Sequence, residues 1–171
     1  MNRYILYNKP KKIDLNNIPV HLAKAFSKIF KGLPYSTINL DTNYSGLVLF
    51  YLDETFDIDI RSKKIKVLLD IQFKNDLKND EIKKITEDIL SVDKNLNFAF
   101  KSSDLGIETT LYFQNSITET LKKFDSLNID RVLISNLDKF EIPRGNYRVL
   151  KDIEVFNFKS LSNIPNKTSG H

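Results

Sequence analysis

Apolar and polar residues repeat along the chain with two spacings, every second residue and every third or fourth residue, and these spacings predict strands and helices respectively. Strands are predicted at 3–7, 47–52, 56–61, 65–74, 96–100, 107–113, 131–135, 140–142 and 147–150. Helices are predicted to begin after Asn16 or Asn17, after Asn79 and at Ser116. This order predicts an α+β fold, a mostly antiparallel β-sheet with about three helices packed on one face.

The first predicted helix has two distinct faces. Pro19 lies in its first turn and Gly32 follows its end, as is typical of helix boundaries. One face is apolar and consists of Ile18, Leu22, Ala25, Phe26, Ile29 and Leu33. The opposite face repeats at the same spacing and consists of His21, Lys24, Lys28 and Lys31. We therefore expect a helix that packs on one side and exposes a row of lysines on the other.

Two predicted strands, 56–61 and 65–74, are joined by three polar residues and predict an antiparallel hairpin. Its register would place Asp53 opposite residue 73, near Gln72 and Lys74. These three residues resemble the PD-(D/E)xK nuclease pattern, in which carboxylates hold Mg²⁺ and the lysine lies beside the attacking water. The resemblance implies a magnesium-dependent nuclease; the alternative is that the residues are solvent-facing and paired across strands.

The composition excludes several other chemistries. The chain has 171 residues, no cysteine and two histidines, one of them the last residue. Thiolate nucleophiles, zinc fingers and sites with two internal histidines are therefore excluded. The five glycines lie too far apart for a phosphate-binding or dinucleotide-binding loop. Apart from the nuclease candidates, we expect no catalytic residues, no metal and no cofactor.

The longest apolar run, Leu47–Leu52, is too short to cross a membrane, and the first residues lack the apolar core of a signal peptide. These features predict a cytoplasmic protein without membrane contact. We expect a single α+β domain over 1–158, followed by a polar, frayed tail over 159–171. The pattern does not determine an oligomeric state.

The net charge of +4 is unevenly distributed. Residues 1–35 carry seven basic side chains and one acid, whereas the remainder of the chain is slightly acidic. A local excess of this kind attracts an anionic partner. The predicted partner-binding residues are Lys9, Lys11, Lys12, Lys24, Lys28 and Lys31.

Two resemblances favour protein binding. The order of elements from Asn16 to Leu127 resembles that of type III secretion chaperones, and residues 140–149 are similar to a strand-turn-strand element of bacterial immunity and nuclease-inhibitor proteins. They imply a non-catalytic protein of inhibitor, immunity or chaperone type, and the basic segment suggests an acidic protein partner. The alternative is a nucleic-acid-binding protein that uses the basic helix, with stacking by Tyr4 and Tyr7; the nuclease is a third, less favoured interpretation.

Overall fold

The computed structural model of the chain describes residues 3–38, 40–124 and 126–165. The strands are β1 (Tyr4–Lys9), β2 (Tyr35–Ile38), β3 (Ser45–Tyr51), β4 (Lys66–Phe73), β5 (Asn97–Lys101), β6 (Asp104–Thr110), β7 (Ser126–Ile134), β8 (Leu137–Asp138) and β9 (Tyr147–Val149). The helices are α1 (Val20–Ile29), α2 (Glu54–Arg61), α3 (Asn79–Val92), α4 (Leu111–Leu121) and α5 (Asp152–Leu161), with a 3₁₀-helix at Lys122–Phe124. The α+β class with mostly antiparallel pairing is confirmed. The described residues contain five α-helices, where about three were predicted.

The chain divides into two compact units. Unit 1 contains the residues up to Lys63 and those from Ser135 onward, and unit 2 contains Lys64–Ile134. No helix within the described ranges is long and apolar enough to span a lipid bilayer.

Unit 1 is built on a sheet in which β1 lies between β3 and β9, and β2 pairs with β3, all antiparallel. Every residue of β1 and β3 is buried, because helices cover both faces. On one face Phe26 of α1 packs on Phe50 with ring centroids 4.8 Å apart. On the other face Phe56 of α2 packs on Tyr51 at 4.6 Å. The prediction of helices on one face only is therefore wrong for this sheet.

Unit 2 contains a four-stranded antiparallel sheet in the order β5-β6-β4-β7. Side chains of β4 alternate between buried and partly exposed positions. Leu69 and Ile71 lie on the buried side, whereas Asp70 lies on the polar side. Helix α4 contacts β4 and β6 and packs beside α3. Within this unit the alternation of strand residues therefore produces one apolar and one polar face, as predicted.

Residues 54–61 form α2 and not the predicted strand. Asp53 caps this helix, since its carboxylate accepts a hydrogen bond from the backbone N–H of Phe56 at 3.1 Å. Phe56 and Ile60, four residues apart, are buried, while Ile58 between them is 63% exposed. The alternating pattern fits a strand and a helix equally well, because residues at i and i+4 lie on the same face in both structures. The hairpin with 65–74 does not form: β4 pairs with β6 and β7.

The chain remains folded beyond residue 158. Helix α5 continues to Leu161, and Ile164 is buried. Residues 159–165 thus belong to the folded unit, which corrects the predicted start of the tail; 166–171 lie outside the described residues. The predicted strand at 140–142 is a turn closed by a hydrogen bond from Ile142 N–H to Lys139 C=O.

Candidate nucleic-acid interface

Two of the three lysines predicted for the first helix, Lys24 and Lys28, lie on its exposed face. The helix ends at Ile29, before Lys31 and before Leu33, which is 90% exposed and not part of the predicted apolar face. Lys24 and Lys28 on α1, and Lys31 just after it, are exposed, opposite the buried Leu22 and Phe26. No carboxylate in the described part of the chain forms an ion pair with these three ammonium groups. Their positive charge is therefore not neutralised by a neighbouring acid and is available to an external anion.

Lys9 differs from the other predicted lysines, because its side chain is completely buried. The Nζ atom donates hydrogen bonds to the carbonyl oxygens of Tyr44 at 2.6 Å, Pro10 at 3.1 Å and Thr42 at 3.3 Å. These acceptors offset the cost of removing the ammonium group from water. Lys9 is therefore a structural residue, and its prediction as part of an exposed binding surface is wrong.

Two of the three acceptors of Lys9, Thr42 and Tyr44, belong to the loop between β2 and β3. The backbone N–H of Lys12 also donates to Thr42 C=O, at 2.7 Å. Within the loop, the Asp41 carboxylate accepts from the N–H of Asn43 at 3.0 Å, and Tyr44 N–H donates to Asp41 C=O at the same distance. Asp41 itself is exposed, whereas Tyr44 is buried. The loop therefore holds one exposed carboxylate beside the basic segment 11–12.

Sequence reasoning did not single out Asp41. An aspartate followed by Thr42 and Asn43 is typical of an ordinary polar turn. The sequence feature that could have pointed to this loop is Lys9, a charged residue next to an apolar strand. The neighbouring residues do not show, however, that its ammonium group reaches residues 42 and 44.

A second loop, 139–146, is attached to the same end of β1, at Asn8. The side-chain amide of Asn8 donates to Ile142 C=O at 2.7 Å and its Oδ1 atom accepts from Arg144 at 2.6 Å. Gly145 N–H donates to Asn8 C=O at 2.7 Å, and His21 of α1 is hydrogen-bonded through Nε2 to Gly145 C=O at 2.8 Å. Gly145 has φ of 90°, a conformation that glycine adopts without strain. The loop is thus fixed against both β1 and α1.

We use the name basic surface for the exposed cationic residues that these segments of unit 1 carry: Lys11, Lys12, Lys24, Lys28, Lys31 and Arg144. The segment 10–12, α1 and the two loops are joined by the hydrogen bonds of Lys12, Asn8 and His21. An array of exposed cations on hydrogen-bonded elements is suited to a polyanion, because it can neutralise several phosphates at once.

The nuclease candidates are not brought together by the predicted hairpin. Asp53 caps α2, accepts a hydrogen bond from the Tyr4 hydroxyl at 2.7 Å and lies 3.9 Å from Lys159. Gln72 lies in β4 opposite Asn128 and Asp104. Across the described ranges, no group of three or more acidic, histidine or cysteine side chains has the arrangement of a metal site.

The predicted stacking by Tyr4 and Tyr7 is also wrong, because both rings are buried. Burial raises the pKa of Tyr4, and the hydrogen bond to Asp53 raises it further. Burial likewise raises the pKa of Tyr7. Both residues belong to the core of unit 1.

No family model and no curated protein match the chain. Among solved structures, the chain is similar to one described as a pseudouridylate synthase, with 16% identity and a TM-score of 0.66 over 92% of this chain and 74% of that one. It also matches an H/ACA RNP bound to a substrate RNA (14% identity, TM-score 0.48, 81% of this chain and 49% of that one) and a Cbf5-Nop10-Gar1 complex (13%, 0.45, 81% and 50%). The chain spans about half the length of these last two chains.

The first of these similarities shows that the chain has the fold of a pseudouridylate synthase. The interpretation as an inhibitor, immunity or chaperone-type protein, and with it the preference for an acidic protein partner, is therefore wrong: the structure that shares the fold is described as a pseudouridylate synthase. The element order on which the resemblance to secretion chaperones rested is not observed either, because residues 54–61 form α2 and not a strand. Of the alternatives drawn from the sequence, the comparison agrees best with nucleic-acid binding.

Proposed function

We propose that the chain binds RNA through the basic surface of unit 1. The observation that carries this proposal is the row of Lys24, Lys28 and Lys31, exposed and without a carboxylate partner, in a chain that has the fold of a pseudouridylate synthase. Pseudouridylate is a ribonucleotide, which favours RNA over DNA as the polyanion.

The geometry of the lysine row suits a phosphate backbone. Lys24 and Lys28 lie four residues apart on α1, which corresponds to roughly 6 Å along the helix axis, and Lys31 follows just after the end of the helix. Ammonium groups at this spacing can contact successive phosphates of one strand, and each contact releases counterions. We therefore expect RNA affinity that falls steeply as the salt concentration rises.

A triple substitution with a matched control tests the proposal. Lys24→Glu, Lys28→Glu and Lys31→Glu together should raise the dissociation constant for RNA more than about tenfold at low salt. The control is Lys83→Glu, Lys84→Glu and Lys94→Glu, exposed lysines of unit 2 with the same change in charge. Fluorescence anisotropy with a labelled RNA measures both. Equal weakening by the two triples would show a non-local charge effect and would contradict the proposed surface.

A second candidate function is chemical modification of the bound RNA at Asp41. The observation that favours it is the way the loop is fixed. The buried ammonium group of Lys9 donates hydrogen bonds to Thr42 and Tyr44, and the loop thereby holds the exposed carboxylate of Asp41 beside the basic segment 11–12. A carboxylate does not help to bind phosphate, but carboxylates act as nucleophiles at glycosidic carbons. The fold suggests isomerisation of uridine to pseudouridine as the reaction.

Asp41→Asn separates binding from modification. The substitution removes the charge and keeps the shape, so RNA affinity should stay the same or increase while pseudouridine formation is lost. Incubation with uridine-containing RNA, followed by nucleoside analysis by mass spectrometry, measures the product. Asp152→Asn, in the same unit and also exposed, is the control. Unchanged product formation by Asp41→Asn would reject this role.

A further inference from the structure

We propose that the basic surface selects single-stranded RNA and that an unpaired base stacks on Phe140; this inference rests on the proposed RNA binding. Phe140 lies in the loop 139–146 and is 72% exposed. Lys139 and Arg144 of the same loop are exposed as well. An exposed aromatic ring in a loop that also carries exposed cationic residues is a combination with which proteins bind unpaired nucleotides, since the ring can stack on a base and the cations can contact phosphates.

The ring is carried by an ordered turn. Phe140 N–H donates to the Asp138 carboxylate at 2.9 Å, and Ile142 N–H donates to Lys139 C=O at 3.0 Å. The side chain of Ile142 is buried and its carbonyl accepts from Asn8. The backbone on both sides of Phe140 is therefore fixed before any ligand binds, which lowers the entropy lost on binding.

The loop adjoins the lysine row. His21 forms the hydrogen bond to Gly145, and it shares a face of α1 with Lys24 and Lys28 because the three residues are spaced by three and four. The stacking residue and the ammonium groups thus lie on adjoining segments of unit 1. In a duplex every base is already stacked and paired, so only an unpaired base can use the Phe140 ring.

The experiment compares a labelled uridine-rich single strand of about ten nucleotides with a duplex of the same length and sequence, by anisotropy at fixed salt. We expect the wild type to bind the single strand more tightly. Phe140→Ala should weaken single-strand binding by about tenfold, the order found for loss of one stacked base, and leave duplex binding unchanged. Phe140→Trp should retain tight binding, and Phe140→Leu should not. Phe156→Ala, which removes another exposed phenylalanine of unit 1, is the control and should have no effect.

The outcomes separate this inference from the proposed function. If the wild type binds neither RNA, RNA binding itself is refuted. If it binds both RNAs equally, or if Phe140→Ala binds the single strand as the wild type does, RNA binding stands and the stacking role is refuted. Circular dichroism of each variant confirms the fold, which a change at an exposed turn residue should not alter.

Discussion

Each of the two units completely buries one basic side chain, Lys9 in unit 1 and Arg131 in unit 2, but the groups that receive their hydrogen bonds differ. Lys9 donates to carbonyl oxygens of a surface loop. Arg131 donates to Gln114, a buried residue of α4, at 2.9 Å. Both arrangements satisfy a cation that has been removed from water. The hydrogen bonds of Lys9 therefore couple stability to the shape of the surface, whereas the bond from Arg131 to Gln114 couples it to the packing of a helix on a sheet.

The largest loss of stability is expected when the buried Arg131 is replaced. Burial lowers the pKa of Arg131 to about 9, so the guanidinium remains charged at neutral pH and its partners depend on it. Arg131→Ala leaves Gln114 without this donor and opens a cavity, which should cost about 3–5 kcal/mol of unfolding free energy. Urea denaturation measures the loss, and Arg131→Met keeps more of the volume and should lose less. If a folded Arg131 variant loses RNA affinity, the distinction between the two units fails.

Lys9→Met should cost less stability but should alter the surface. Loss of hydrogen bonds from a charged donor is expected to cost about 1.5–3 kcal/mol, while most of the packing is retained. The loop should open more often, so the amide protons of Lys12 and Tyr44 should exchange faster with solvent. Hydrogen exchange measures this, with the exposed Lys28→Met as the control. Unchanged exchange at both amides would show that Lys9 does not hold the loop.

Alkaline pH provides a smaller test within unit 1. Burial and the hydrogen bond to Asp53 raise the pKa of Tyr4 above its ordinary value of 10.0. The unfolded chain therefore loses this proton first, and the stability from Tyr4 is present below pH 10 and declines above it. Between pH 10 and 11 the unfolding free energy of Tyr4→Phe should fall by roughly 1 kcal/mol less than that of the wild type. Parallel curves for the two proteins would contradict the burial of the Tyr4 hydroxyl.

The smallest effect is expected at a partly exposed ion pair. Burial alone would raise the pKa of Glu154, but the hydrogen bonds from Arg148 and from the backbone of Lys151 outweigh it, so the pKa is lowered from 4.5. The pair therefore stabilises the fold above pH 4.5, and its contribution is lost as the pH falls through the folded-state pKa. Arg148→Met should cost at most about 1 kcal/mol at pH 7 and less at pH 3. If Arg148→Met lowers the unfolding free energy as much as Lys9→Met does, then burial does not explain the difference between the Arg148–Glu154 pair and the hydrogen bonds of Lys9.

Several elements were readable from local patterns. Pro19 and the spacing of Leu22 and Phe26 predicted α1, although the helix ends at Ile29 and not next to Gly32. Alternation that is interrupted only at Leu68 predicted β4. Phe56–Ile60 was misassigned, because the same residues satisfy a strand and a short helix. Helix α5 was missed: Ile153 and Phe156 are exposed while Phe158 is buried, so its sequence has no clear apolar stripe.

The amino-acid sequence alone determined the α+β class and the exposed face of the first helix with Lys24 and Lys28, because periodicity and charge are local properties. Only the tertiary structure decided that Lys9 is buried, that Asp41 is held at the surface and that Phe140 adjoins the lysine row. Those relations depend on hydrogen bonds between residues far apart in the chain, such as Asn8 and Ile142, which are 134 positions apart. No local pattern records such a contact, since it arises only when separate segments pack together.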